Sequence, residues 1–263
     1  MTARTGARIK RALVILAAIA ALGAMANIGF LDPRLLTRGA LNTWVFLKGL
    51  FPPELTVLPT IAKAMWETLQ IAYVGTLLGF ALALPVAFLA TRTFFAPAMT
   101  LPLRFLLVVV RTVPALLWAL FFVVAFGLGP VAGTLGIAVY TLGYLGKLFY
   151  EAFEGVDPEV LEAVRSVGCN RLQLMRFALL PEAANSILSQ LLFIFEYNVR
   201  ASTILGFVGA GGIGFYMLGY VQLLQYRSLL TAILVTLVVV LLIEHASARL
   251  RRLVLPHTPT ATA

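Results

Sequence analysis

Asp157-Pro158-Glu159-Val160-Leu161-Glu162-Ala163-Val164-Arg165-Ser166-Val167-Gly168-Cys169-Asn170-Arg171-Leu172-Gln173-Leu174-Met175-Arg176-Phe177-Ala178-Leu179-Leu180-Pro181 is a charged, amphipathic stretch set between two apolar runs. Asp157 followed by Pro158 and Glu159 marks a helix start: a capping side chain, proline where no N–H is lost, and negative charge at the positive dipole end. Val160, Leu161, Val164 and Val167 then share one face at helical spacing, with Glu162 and Arg165 within pairing range on the other side. Gly168 stands where a left-handed residue ends a helix. Asn170 and Gln173 have the spacing of a capping box, and the second helix runs through Leu172, Met175 and Leu179 to Pro181. The stretch reads as two short helices joined by a glycine turn. Such a hairpin either packs on its own bundle or serves as a handle for another protein, and periodicity leaves both open.

The flanking sequence decides what the hairpin stands on. Of 263 residues, 61% are apolar and 12% charged, about half the charged share of a soluble globular protein. A soluble domain of this size has too little interior to hide that much apolar surface, so the expected fold is an all-α membrane protein. A helix needs about 20 mainly apolar residues to cross the hydrocarbon core. Six stretches qualify: 12–31, 62–90, 103–127, 130–150, 183–206 and 228–243. The net charge of +9 is scattered between apolar runs and forms no stripe, which argues against nucleic-acid binding. Cys169 is the single cysteine, and His245 and His257 lie near the C-terminus. These exclude an internal disulfide and a multi-cysteine or histidine-based metal centre in the core.

Basic residues set the expected orientation. With the N-terminus inside, 13 lysines and arginines fall on the cytoplasmic side and 6 outside, and Arg111 is left within a span. Both termini are therefore expected in the cytoplasm of a multi-pass protein of the bacterial inner membrane. The first span ends near Ala24-Met25-Ala26, a small-residue pattern that also fits a signal-peptide cleavage site. The apolar run on towards Leu31 favours an uncleaved anchor. Residues 32–59, with Trp44, Phe46 and Phe51 among a few charges, suit packing at the external membrane interface. The tail beyond Pro256 reads as disordered.

The hairpin also resembles a known family. Glu162-Ala163-Val164, Gly168, then Leu180-Pro181 is similar to the EAA signature of ABC importer permeases, with Val164 in place of alanine and Ala178 in place of isoleucine. Several further segments resemble the phosphonate (PhnE-type) permeases: Phe51-Pro52-Pro53-Glu54, Glu67-Thr68-Leu69-Gln70-Ile71-Ala72, Arg111-Thr112-Val113-Pro114, Gly143-Tyr144-Leu145-Gly146-Lys147-Leu148 and Phe195-Glu196-Tyr197-Asn198-Val199-Arg200. The run Gly209-Ala210-Gly211-Gly212-Ile213-Gly214 belongs to the same set. The resemblance implies a type I ABC importer permease bundle of about six transmembrane helices. It implies an anchor and interfacial segment over 1–59, a type-1 transmembrane domain over 60–247 and a basic cytoplasmic tail over 248–263. It also implies partners: two copies of an ABC ATPase, a second permease subunit that is a copy or a paralogue, and an extracytoplasmic binding protein. Glu162, Ala163, Gly168, Leu180 and Pro181 would then couple the bundle to the ATPase. The cargo would be phosphonate, phosphite or a phosphate-like oxyanion, with another small solute of the same importer class as the alternative.

Charges at membrane depth cost on the order of 2.5–3.5 kcal/mol each, so they face a bundle interior or a water-filled path. Glu196 and Arg200 stand four apart with the acid first, the favourable order for a pair along one helix. They either neutralise each other or, with Asn198, line a polar route. Arg111 has no partner in its own span, and Pro114 would loosen the helix beside it. A guanidinium holds phosphonate or phosphate oxygens through two hydrogen bonds, so Arg111 and Arg200 are expected to favour anions weakly along the pathway. Gly209, Gly211 and Gly214 satisfy G-x-G-x-x-G, but no strand precedes them and no acid lies between Glu196 and Glu244, so they do not form a dinucleotide site. With Gly212 they read as a gate or hinge. A P-loop motif is absent, so ATP hydrolysis falls to a partner subunit and the chain is not an enzyme and holds no cofactor. An autonomous secondary transporter would show internal symmetry, and none is visible.

Overall fold

The computed structural model describes residues 3–254, and the expected tail beyond Pro256 lies outside them. The described residues are helical throughout, without a strand. They divide into two compact units, Met1–Pro52 and Pro53–Ala263.

The first unit holds α1 (Ala3–Asn27) and α2 (Pro33–Leu50). The expected span over 12–31 stops at Asn27, and Gly29 turns the chain at φ +76°. Asp32 caps α2 by accepting the Arg34 N–H at 2.9 Å, with Pro33 at the first helical position. Trp44, Val45 and Leu47 are exposed on α2, and the Lys48 ammonium sits 4.9 Å from the Trp44 ring.

The second unit is a bundle of α3 (Leu58–Ala90), α4 (Pro97–Thr112), α5 (Ala115–Phe126), α6 (Pro130–Glu154), α9 (Leu180–Leu205), α10 (Ile213–Gln222) and α11 (Tyr226–Val254). The short α7 (Pro158–Ser166) and α8 (Arg171–Leu174) lie between α6 and α9. Four helical stretches are long and apolar enough to cross a membrane: Leu55–Ala90, Pro130–Glu154, Arg171–Val208 and Tyr226–Leu253. The expected span over 103–127 is not continuous. It is broken between α4 and α5, which meet at 87°. Pro114 has no N–H for the Val110 carbonyl, which accepts the Trp118 indole N–H at 3.0 Å instead. The break is thus satisfied inside the protein, as membrane depth requires.

Small residues set how closely the helices approach. A Cβ on Gly75 would meet Ile137 at 2.7 Å, and one on Gly136 would meet the Ala119 main chain at 2.7 Å. These contacts press α3 and α5 onto α6, whose buried face carries Ala132, Ile137, Leu145 and Phe149. At one end, Glu154 accepts the Arg92 N–H at 2.8 Å and pairs with Arg104, while Arg104 Nε donates to the Ala90 carbonyl at 2.8 Å. One carboxylate thereby ties the ends of α3, α4 and α6 together. At the other end, Glu54 accepts from Thr56 and Ser228 at 2.8 and 2.9 Å, and these bonds with nearby Arg227 hold its carboxyl below the usual range. Residues 248–254, expected in the tail, continue α11.

Candidate functional site

The hairpin forms as the local signals require. Asp157 accepts the Glu159 N–H at 2.9 Å, Gly168 sits at φ +84°, and Asn170 and Gln173 exchange both bonds of a capping box at 2.8 and 2.9 Å. Two details differ. Val167 does not join the buried face: Leu161 is 4% exposed but Val167 is 82% exposed at the tip. Pro181 does not end the second helix. The single turn of α8 passes through a π-turn at Met175–Leu179 into α9, where proline occupies a first-turn position and removes no bond.

The hairpin has two sides. Leu161, Leu174, Ala178 and Leu179 are buried in the bundle core, and the Arg165 and Arg171 guanidiniums stand 5.5 and 5.3 Å from the Phe94 and Phe95 rings. Arg165 therefore stacks on the α3–α4 connection, and no ion pair joins it to Glu162 among the described residues. Outside, Val167, Leu172 and Phe177 are exposed while Glu162 and Ala163 flank the turn. Packing on its own bundle and presenting a handle are thus properties of opposite faces.

The polar residues of the spans separate into a closed set and an open set. Glu196 does not pair with Arg200. Its carboxylate lies 3.0 Å from the Arg251 guanidinium of α11. Asn198 is fully buried, and its side-chain NH2 donates to Thr76 and Thr141 at 2.8 and 2.9 Å, joining α9 to α3 and α6. Neither faces open space. Replacing Asn198 with leucine removes two buried hydrogen bonds worth roughly 1 kcal/mol each. The expected result is a loss of about 2 kcal/mol, read as a lower unfolding temperature of the purified protein.

Arg200 is exposed. It borders a groove of about 320 Å³ with Pro114, Ala115, Leu116 and Tyr197. Arg111 closes α4 beside Gly143, where a Cβ would lie only 2.7 Å from the Arg111 backbone nitrogen. The Arg111 Nε is buried without a hydrogen-bond partner among the described residues. Beside the arginines lie Tyr144, Tyr140 and Tyr197: Tyr140 is within electrostatic reach of Arg111, and Tyr197 lines the groove with Arg200. Their rings stack in that order, with centroids 6.1 and 5.7 Å apart and tilts of 26° and 25°. Reading the sequence alone misses all three tyrosines. The four-residue spacing of Tyr140 and Tyr144 is visible there, but Tyr197 joins them only through packing of α9 on α6.

The glycine run after α9 is pinned. Gly209, Gly211 and Gly212 have φ of +80°, +83° and +76°. The Gly212 N–H donates to Glu67 at 3.0 Å, the Ile213 N–H to the Thr68 hydroxyl at 2.8 Å, and the Gly129 N–H to the Gly209 carbonyl at 2.9 Å. Gly214 packs against the Thr203 carbonyl, where a Cβ has no room. Two segments quoted separately from the sequence, 67–72 and 209–214, thus form one clasp. Among the described residues no cluster of three or more histidine, cysteine or acidic side chains is arranged to hold a metal.

Comparison with known proteins adds family and fold. A family model described as the binding-protein-dependent transport system inner membrane component matches residues 75–258. The chain is 38% identical over 218 residues to a putative phosphite transport system permease of Stutzerimonas stutzeri, covering 82% of this chain and 77% of that one. It is 40% identical over 219 residues to a phosphate-import permease of Mycolicibacterium smegmatis, covering 81% of this chain and 41% of that longer protein. A second phosphite permease of S. stutzeri is 34% identical over 226 residues, with 86% and 82% covered. Among solved structures, an inward-facing methionine ABC transporter matches with a TM-score of 0.67 at 22% identity, over 77% of this chain and 100% of that one. A bacterial alginate ABC importer matches with a TM-score of 0.64 at 15% identity, over 96% and 100%.

Proposed function

The chain belongs to the binding-protein-dependent inner membrane transport components and is a permease of an ABC importer, and from that premise we propose that its cargo is a small phosphorus oxyanion. Phosphite, phosphonate and phosphate share a compact tetrahedral anion, and the relatives named for phosphite and phosphate are 34–40% identical to this chain. Arg200 on an open groove supplies a cation that can meet such an anion through charge-assisted hydrogen bonds. An external binding protein would deliver the cargo, and a second permease subunit would complete the path.

The hairpin carries the coupling role. Its inner face is built into the bundle while Val167 and Leu172 stand exposed at the tip. A partner ATPase that grips this tip moves the bundle with it. Two ATPase copies would drive two hairpins together and rock the bundles from inward- to outward-facing. The lack of a P-loop in this chain assigns hydrolysis to that partner. The excess of basic residues on the hairpin side supports cytoplasmic termini.

The test is reconstitution of the chain with its ATPase and binding protein in liposomes, with labelled phosphite, methylphosphonate and phosphate offered in turn. ATP-dependent uptake of at least one is expected. Uptake of none of the three refutes the oxyanion reading.

A further inference from the structure

We infer that the stacked Tyr144–Tyr140–Tyr197 ladder beside Arg111 and Arg200 is the transit site for the anion, with its phenol hydroxyls as neutral hydrogen-bond donors. The inference rests on the oxyanion reading and deepens it.

Four observations converge. First, the ladder crosses from α6 to α9, so its rings span the seam between two long helices rather than decorating one. Second, two cations stand beside it. Arg111 lies within electrostatic reach of Tyr140, the middle ring, and Arg200 stands three residues beyond Tyr197 on the border of the same groove. Third, the Arg111 Nε has no hydrogen-bond partner among the described residues, and the Tyr140 and Tyr197 hydroxyls bond to each other, a neutral pair that an anion can open. Fourth, neighbouring polar groups face other partners, the Glu196 carboxylate pairing with Arg251 and the Asn198 NH2 donating to Thr76 and Thr141. The carboxylate that would repel an anion is therefore neutralised away from the ladder.

The chemistry suits passage rather than capture. A tetrahedral oxyanion must exchange its water shell for donors as it moves. The two cations draw it in, and the hydroxyls beside them replace water without adding fixed charge that would hold it. Tyrosine offers that donor while its ring keeps the stack, so packing and hydrogen bonding can be separated by removing one oxygen.

The test uses the complete transporter in liposomes with labelled phosphite, methylphosphonate and phosphate, comparing wild type, Tyr197→Phe and the double variant Tyr140→Phe/Tyr197→Phe. Phenylalanine retains the rings, and Tyr197 is itself exposed, so both variants keep the fold. The loss of two donors is expected to raise the ratio of ATP hydrolysed to anion imported about tenfold in the double variant, with a smaller rise in Tyr197→Phe. An unchanged ratio in the double variant overturns the ladder, because the rings then only pack. A parallel fall of hydrolysis and uptake also overturns it, because the role is then structural. Failure of the wild-type complex to import any of the three anions rejects the oxyanion reading instead, and is read before the variants are compared.

Discussion

Replacing Gly214 with alanine is expected to lower the unfolding temperature of the purified protein by about 10 °C, corresponding to about 3 kcal/mol at this chain length. The added Cβ would overlap the Thr203 carbonyl and approach the Gly206 Cα to 3.0 Å. Both neighbours are main chain, so no side chain can rotate away. Relief requires α9 and α10 to separate, which also pulls the Ile213 N–H from Thr68. Gly219 is the control. It lies on the same helix with nothing within 4 Å of its Cβ position, so Gly219→Ala should be neutral or slightly stabilising. Equal melting of the two variants would remove the close-packing account of this corner.

Gly168→Val is expected to do the opposite: leave the melting temperature nearly unchanged and reduce coupled uptake at least about tenfold. Gly168 has φ +84° but no atom within 4 Å of its Cβ position. The penalty is therefore one of backbone conformation, roughly 1–2 kcal/mol for an ordinary residue and more for a β-branched one. The chain escapes it by rearranging the turn, which is exposed and costs the core nothing. What moves is the tip, carrying Val167 and Leu172 with it. Since about 1.4 kcal/mol is a factor of ten in an equilibrium, a displaced tip should weaken the proposed ATPase engagement by that order. Gly168→Asn should retain most activity, because asparagine tolerates the left-handed region. Normal uptake by the valine variant would show that the turn is not the element that transmits ATPase movement.

The local parts of this structure were legible in the sequence and the long-range parts were not. Asp157, Asn170 and Gln173 act within two or three residues of themselves, so spacing alone identifies their bonds. Glu196 was readable only against its own helix, where Arg200 is the natural partner. Its actual partner, Arg251, lies 55 residues further along and arrives through the packing of α11 on α9. Pro114 announced a weakened helix, but the 87° turn depends on Trp118 reaching back to the orphaned carbonyl. Pro181 was read as a stop because proline breaks helix interiors, yet at the start of α9 its missing N–H has no bond to lose. The tyrosine ladder showed in the sequence only as the spacing of Tyr140 and Tyr144, since the stacking of Tyr197 between helices has no sequence period.

The clasp of Glu67 and Thr68 on Gly212 and Ile213 has a mechanical implication. Left-handed glycines invite the idea of a swivel, but a segment riveted by its own amides to the neighbouring helix cannot turn on its own. The first half of α3 and the start of α10 should travel as one rigid plate. Flexing then has to fall where the backbone has already surrendered its helical bonds, at Val113 and Pro114, and Pro114 lines the groove that Arg200 borders.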